Sequence, residues 1–150
     1  MIVSVMNKYN FDAMCRMYFQ HTHVTKHLYN GYISISNSNS EFKSFFDSDY
    51  QNVLRLEFDD VTDQDNEPGT VLFNREHAQK IIEFMDINKD IDMLYVHCLA
   101  GQSRSGAVGT FINDIYGSET YYEFMKRNPT IKSNYYILAL LRRIYNNIEE

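Results

Sequence analysis

The chain has 150 residues, 44% of them hydrophobic, which suffices for one compact core and is short for two domains, so we predict a single domain over residues 1–150. Only two prolines and six glycines exclude a fibrous or low-complexity protein. The formal net charge of −6, without a dense run of lysine and arginine, argues against general nucleic-acid binding, because the chain and a phosphate backbone repel each other.

The apolar segments of the sequence are short. The opening stretch at residues 2–6 ends at Asn7 and Lys8, and no later run approaches the ~20 residues that a membrane span needs. We therefore expect no membrane partner and a cytoplasmic chain, in a compartment where thiols stay reduced. Its two cysteines, Cys15 and Cys98, lie far apart in the sequence.

In the first third of the chain, the pattern predicts a strand at residues 2–6 and then a helix capped by Asn10. Cys15 lies among the apolar positions of this helix and is expected to serve packing. A second strand is predicted at residues 32–35, followed by a polar loop at 36–40 and a short helix that begins near Phe42.

The three histidines between the first helix and the second strand are His21, His23 and His27. Their spacing fits no ligand pattern well, so they are expected to belong to a polar surface segment. We predict no metal and no cofactor for this chain.

The central part of the chain begins with a partly alternating strand at residues 53–58 and an acidic loop at 59–65. Asn74 is predicted to cap a helix, and residues 93–96 form a strand of buried type. Helices are predicted at 107–115, 121–125 and 135–144, separated by Gly117 and Pro129.

The aromatic residues of the middle one of these three helices have helical spacing. Tyr121, Tyr122 and Phe124 are therefore expected to pack in the core.

Strands that alternate with helices predict an α/β fold with a central, mainly parallel sheet flanked by helices and right-handed crossovers. Ligands of such sheets bind beyond the carboxyl ends of the strands. Asp60 and Cys98 both follow predicted strands, so both are expected at this edge of the sheet.

The segment from Val96 to Gly106 combines a strand end, a cysteine, five further residues, an arginine and the start of a helix. A loop this short can curl so that its backbone amides point inward and form a nest for phosphate oxygens. Gly101 permits a backbone geometry that a side chain would hinder. Arg104 supplies a planar fork for two phosphate oxygens. The predicted phosphate-binding residues are Leu99, Ala100, Gly101, Gln102, Ser103 and Arg104.

The same surroundings favour the thiolate form of Cys98. Amides, a helix N-terminus and an arginine lower a cysteine pKa to ~3.5–7.5, which makes the sulfur a nucleophile at neutral pH. Ser105 is placed to donate a hydrogen bond to the sulfur when it leaves phosphorus, and His97 to orient the loop through its ring.

The signature of the cysteine-dependent protein tyrosine phosphatases resembles this segment at His97-Cys98, Gly101 and Arg104-Ser105-Gly106. The Ser103-Arg104-Ser105 ending is most similar to the dual-specificity branch, and the resemblance extends from about residue 53 to residue 141, Asn128-Pro129 included. It implies a protein tyrosine phosphatase-like fold and a general acid on a separate loop. Asp60, just after the strand at 53–58, is the predicted acid; Asp59 is the nearest alternative, with Asp63 and Asp65 after it.

The resemblance implies a phosphatase that acts on phosphotyrosine, with phosphoserine and phosphothreonine as further substrates, through a cysteinyl-phosphate intermediate at Cys98. Its expected partner is a phosphorylated protein or peptide. Two alternatives stay open: a phosphate-binding module with weak or no turnover, and a phosphatase of non-protein phosphate esters. The sequence predicts no oligomeric state.

Overall fold

The computed structural model describes residues 1–21, 30–38, 52–64 and 67–147. Within these ranges the chain forms four strands and five helices. They are β1 (Ile2–Met6), α1 (Lys8–His21), β2 (Asn30–Ser36), β3 (Val53–Glu57), α2 (Arg75–Ile87), β4 (Met93–His97), α3 (Arg104–Tyr116), α4 (Tyr121–Arg127) and α5 (Tyr135–Tyr145). The predicted helix near Phe42 lies outside the described residues.

The four strands form one sheet in the order β1-β4-β2-β3, and all three pairings are parallel. His97 at the end of β4 lies level with Met6 of β1 and Ser34 of β2. The predicted parallel sheet is therefore confirmed. Its carboxyl edge brings the ends of β2, β3 and β4 together.

The main core lies between one face of the sheet and the helices α2, α3 and α5. Ile33 and Ile35 of β2 and Leu94 and Val96 of β4 contribute to it, all at most 1% exposed. Because side chains alternate along a strand, Tyr32 points to the opposite face. There it joins a smaller cluster with Phe11 and Cys15 of α1. The sheet is thus covered by helices on both faces, as predicted.

Helix α3 lies close to the edge strand β1. A Cβ atom on Gly109 would stand 2.6 Å from Cγ2 of Val5, so the absence of a side chain permits this approach. Asn128 then closes the free edge of β1, since its Oδ1 accepts a hydrogen bond from the Val5 amide at 2.8 Å. Its Nδ2 donates to the Val3 carbonyl at 3.3 Å. An edge strand with satisfied backbone groups is a poor template for pairing with another chain.

The start of α1 differs from the prediction. Oδ1 of Asn7 accepts a hydrogen bond from the Asn10 amide at 2.8 Å, so Asn7 is the capping residue and Asn10 lies in the first turn. The predicted cap at Asn10 is wrong by one turn. Two asparagines three residues apart satisfy the same pattern, and the end of β1 at Met6 decides between them.

The aromatic residues of α4 also differ from the prediction. Phe124 is fully buried, but Tyr121 and Tyr122 are 59% and 74% exposed, so the predicted packing of these two tyrosines is wrong. Helix α4 has only seven residues. Its buried stripe passes through Phe124 and Met125, which leaves the first turn outside the core.

No helix among the described residues is long and apolar enough to cross a membrane. The part of the chain that the structure describes contains no group of three metal-ligating side chains. His23, His27 and the side chain of His21 lie outside that description.

Candidate active site

The loop between β4 and α3 is fixed in its curled shape by hydrogen bonds from neighbouring elements. Its carbonyl groups point outward and accept hydrogen bonds from neighbouring elements. These are Leu99 O from Lys8 N (3.1 Å), Gly101 O from Thr130 Oγ1 (3.4 Å), Gln102 O from Lys132 N (3.0 Å) and Ser103 O from Asn134 N (3.1 Å). Because the carbonyls of a curled loop face outward, its amides are left to face inward, the arrangement that binds anions.

Gly101 is required by this loop for two reasons. Its φ of +70° lies in the left-handed region, which side-chain-bearing residues rarely adopt. A Cβ atom there would also stand 2.5 Å from the Asn7 amide nitrogen and 2.7 Å from the Met6 carbonyl oxygen. The loop therefore rests directly on the junction of β1 and α1, as only a glycine permits.

The N-terminus of α3 has no side-chain cap. Ser103 occupies the capping position, but its hydroxyl makes no capping bond and instead donates to Oδ1 of Asp60 at 2.8 Å. The first amides of this helix of 13 residues therefore stay available, together with the positive end of its dipole. Both features favour an anion at the position that the loop encloses.

Cys98 begins the loop and is only 2% exposed. Its Sγ lies 3.1 Å from the Ser105 hydroxyl. Burial acts to raise the pKa of Cys98, but hydrogen bonds from the Ser105 hydroxyl and from the Ser105 and Gly101 amides outweigh it. With the positive charge of Arg104, they bring the pKa of Cys98 below its ordinary value of 9.0. The site thus stabilises a thiolate in a buried position.

Arg104, the first residue of α3, is 5% exposed and connects two strand ends. Its Nη1 donates to Oδ1 of Asn37 at 2.6 Å, just after β2, and to the carbonyl of Phe58 at 3.0 Å, just after β3. Its Nε is buried and has no hydrogen-bond partner among the described residues. One side of the guanidinium is therefore fixed, and a donor remains for an anionic ligand.

His97 supports the loop from below. Its Nδ1 lies 3.2 Å from the Cys98 carbonyl and its Nε2 2.5 Å from the Ser34 hydroxyl. Burial lowers the pKa of His97 to about 4, so the ring is neutral and carries one proton. Because a carbonyl only accepts, that proton is assigned to Nδ1, and Nε2 accepts from Ser34. The ring also stacks on Phe11, with centroids 4.0 Å apart.

Asp60 lies against the loop that is predicted to bind phosphate. Its Oδ1 accepts hydrogen bonds from the Ser103 hydroxyl at 2.8 Å and from Nδ2 of Asn134 at 3.0 Å. Its Oδ2 has no partner among the residues that the structure describes. The side chain is exposed, so this second oxygen is open to the surroundings of the loop.

Asp59 is built into the loop backbone instead. It accepts hydrogen bonds from the Val71 amide at 2.7 Å and from the hydroxyl and amide of Ser38 at 2.9 and 3.2 Å. Burial alone would raise the pKa of Asp59, but these bonds and the charge of Arg104 lower it. A carboxylate with this many donors is suited to anchor a loop and poorly suited to give up a proton. Among the other two candidates, Asp63 is exposed and Asp65 lies outside the described residues.

Two contacts of this site were not anticipated from the sequence. Asn37 holds Arg104, and Asn134 holds Asp60. For Asn134 the sequence does indicate a structural role, since an asparagine just before an apolar helical pattern is typical of a helix cap. Asn37 lies in a polar loop rich in serine and asparagine, where nothing distinguishes it. Leu99, Ala100 and Gln102 have exposed side chains, so they contribute to the loop through their backbone.

No protein-family profile and no curated protein sequence matches this chain. Its structure is similar to that of the human tyrosine phosphatase-like serine/threonine/tyrosine-interacting protein, with a TM-score of 0.60 and 20% identity, over 97% of this chain and 91% of that one. It is also similar to PTPMT1 in complex with PI(5)P, with a TM-score of 0.53 and 16% identity, over 98% of this chain and 92% of that one. These similarities confirm the predicted α/β fold, which is protein tyrosine phosphatase-like.

Proposed function

We propose that this chain, which has the fold of dual-specificity-like phosphatases, is a phosphomonoesterase that works through a cysteinyl-phosphate intermediate on Cys98. The observation that carries the proposal is a buried thiol whose pKa is nevertheless lowered, beside Ser105 and Arg104. A thiol with these donors, next to a fixed arginine and a curled loop, is suited to attack the phosphorus of a bound phosphate ester.

The reaction has two steps. The Cys98 thiolate attacks phosphorus and forms the P–S bond, while the bond from phosphorus to the ester oxygen breaks and Asp60 gives that oxygen a proton. A water molecule then attacks phosphorus and loses a proton to Asp60, and the P–S bond breaks. Inward amides and Arg104 stabilise the phosphoryl oxygens in both steps. The Ser105 hydroxyl stabilises the sulfur as it leaves.

The proposed substrate is a phosphotyrosyl protein or peptide, with phosphoserine and phosphothreonine as further candidates, in a reducing compartment such as the cytoplasm. A non-protein phosphate ester is the second candidate, because one structurally similar protein was crystallised with the phosphoinositide PI(5)P. The absence of a basic run around Cys98 favours the peptide. Side-by-side assays of phosphopeptides and PI(5)P vesicles distinguish the two.

The first test is hydrolysis of 4-nitrophenyl phosphate by the wild type and by Cys98→Ser. We expect turnover by the wild type and a loss of at least ~10⁴-fold in the variant, since the nucleophile is removed. Cys15→Ala is the matched control and should keep turnover near the wild-type value, because Cys15 lies in α1, on the opposite side of the sheet from Cys98. Equal rates for the wild type and Cys98→Ser would reject the enzyme and leave a phosphate-binding module.

The second test concerns the general acid. Asp60→Ala should lower turnover by ~10²–10⁴-fold while phosphate still competes for the loop. Asp63→Ala, in the same exposed loop, is the matched control and should be near normal. A near-normal rate in Asp60→Ala would move the role to Asp59 or another group.

A further inference from the structure

We propose that Asn134 is a positioning residue that holds the general acid Asp60 in register with the phosphate-binding loop. This inference rests on the proposed function of the site. Nδ2 of Asn134 donates to Oδ1 of Asp60 at 3.0 Å and to the Val61 carbonyl at 3.2 Å. One side-chain amide thus fixes both the carboxyl group and the backbone next to it.

Asn134 is itself held from two other directions. Its Oδ1 accepts hydrogen bonds from the Tyr136 and Ile137 amides at 3.0 and 3.2 Å, so it caps α5. Its backbone amide donates to the Ser103 carbonyl at 3.1 Å. The acid loop, the phosphate-binding loop and α5 therefore meet at one residue. All donor and acceptor groups of its side chain are used.

The two donors on Asp60 converge on the same oxygen. Ser103 and Asn134 both bind Oδ1, and Oδ2 stays without a partner among the described residues. One oxygen fixes the orientation of the carboxyl group, and the other is left for the proton that passes to the leaving group. A general acid needs this geometry, because proton transfer requires hydrogen-bond reach to the ester oxygen.

The loop needs such an anchor because little else holds it there. Asp60 and residues 62–64 are exposed, and no core side chain lies between Phe58 and Phe73 among the described residues. Asp59 fixes the base of the loop through Ser38 and Val71. On the side of the phosphate-binding loop the contacts are Ser103 and Asn134, and of these two Asn134 also binds the backbone of the acid loop, at the Val61 carbonyl.

The test is the variant Asn134→Asp, which should keep the cap of α5 and lose the hydrogen bond that positions Asp60. Aspartate is a good helix cap, so α5 should keep its start and the melting temperature should change little. It cannot donate to Asp60 and places a negative charge beside it. We expect kcat/KM for phenyl phosphate, whose leaving group needs a proton, to fall ~10–10²-fold. For 4-nitrophenyl phosphate, whose leaving group is weakly basic, kcat/KM should fall less than ~3-fold, because kcat/KM covers only the first step, in which the leaving group departs.

Two further variants make the result specific. Asn74→Asp changes an equivalent cap on α2, where Asn74 accepts from the Glu76 and His77 amides, and should leave both rates unchanged. Combining Asn134→Asp with Asp60→Ala should lower turnover no further than Asp60→Ala alone, because both act on the same proton transfer. Asn134→Ser keeps a capping hydroxyl and serves where the aspartate variant does not fold.

A readout independent of turnover is hydrogen exchange of the backbone amides at residues 59–64. Asn134→Asp should speed their exchange at least ~10-fold, and Asn74→Asp should not. Equal losses for the two substrates, additive effects with Asp60→Ala, or unchanged exchange would overturn the positioning role. Absence of Cys98-dependent turnover in the wild type would instead reject the proposed function, and the exchange experiment would still decide whether Asn134 anchors the loop.

Discussion

The two cysteines show how little burial alone says about a thiol. Cys15 and Cys98 are 0% and 2% exposed and lie on opposite sides of one sheet. Burial and the nearby Asp12 raise the pKa of Cys15 to about 12, whereas the pKa of Cys98 is lowered. The difference comes from the donors around Cys98, which are the Ser105 hydroxyl, two amides and Arg104. Desolvation is common to both thiols, and only hydrogen bonds and charge distinguish them.

His97 lies between these two regions and belongs to both. Its ring stacks on Phe11, a neighbour of Cys15, and its Nδ1 bonds to the Cys98 carbonyl. The apolar cluster under α1 therefore supports the reactive loop through one neutral imidazole. Substitutions in either region are therefore expected to change the difference between the two thiols.

The largest effect is expected from Arg104→Lys. Lysine supplies charge but not the fork that binds Asn37 and Phe58 while leaving Nε free, so turnover should fall ~10²–10³-fold. The measurement is kcat/KM with an aryl phosphate. Arg142→Lys, in an exposed ion pair with Asp114, is the control and should be near normal. Unchanged turnover in Arg104→Lys would show that a point charge suffices.

The next effect concerns the pH dependence of folding. The pKa of His97 is about 4 in the folded protein and 6.5 ordinarily, so between these values the unfolded chain binds more protons. The contribution of His97 to stability is complete above pH 6.5 and is lost as the pH falls toward 4. It amounts to about 3 kcal/mol over that window.

Urea unfolding at pH 7, 6 and 5 measures this contribution. The free energy of unfolding should fall more steeply with acidification in the wild type than in His97→Gln. His77, whose pKa is lowered first of all by burial, contributes equally in both proteins and cancels from the comparison. Parallel curves for the two proteins would mean that His97 is not held neutral by the fold.

Alkylation by iodoacetamide at pH 7 compares the two thiols directly. The pKa of Cys98 is lowered below 9, and that of Cys15 is raised to about 12, so Cys98 has the larger thiolate fraction. This advantage in rate is partly offset, because a thiolate of lower pKa is intrinsically less nucleophilic. Together these predict that Cys98 reacts at least ~30-fold faster. Mass spectrometry of the two peptides measures the ratio. In urea the two rates should converge, and preferential labelling of folded Cys15 would contradict the assignment.

The smallest effect is expected from Ser105→Ala. Removing one hydrogen bond to the sulfur should slow alkylation of Cys98 at pH 6 by ~3–10-fold, because the thiolate loses a donor. Ser133→Ala, outside the loop, is the control. An unchanged alkylation rate would assign the lowered pKa of Cys98 to the amides and Arg104 alone.

Local patterns were sufficient for most elements of the fold. The four strands, the Asn74 cap and the loop from Cys98 to Arg104 each depend on residues within a few positions of one another. The errors arose where two local solutions were equivalent or a helix was short. Asn7 and Asn10 offered the same cap, and the exposed Tyr121 and Tyr122 had the spacing of core residues.

The sequence alone was enough to predict the candidate site, because a cysteine, a glycine and an arginine at fixed spacing between strand and helix are typical of an anion-binding loop. Tertiary structure decided which side chains from distant parts of the sequence support that loop. Asn37 reaches Arg104 across 67 positions and Asn134 reaches Asp60 across 74. Tertiary structure also distinguished Asp60 from Asp59. The two residues are adjacent and locally equivalent in sequence, but their side chains contact different neighbours. Hydrogen bonds are short-ranged, so partners this distant in sequence are chosen only when the sheet brings its strand ends together.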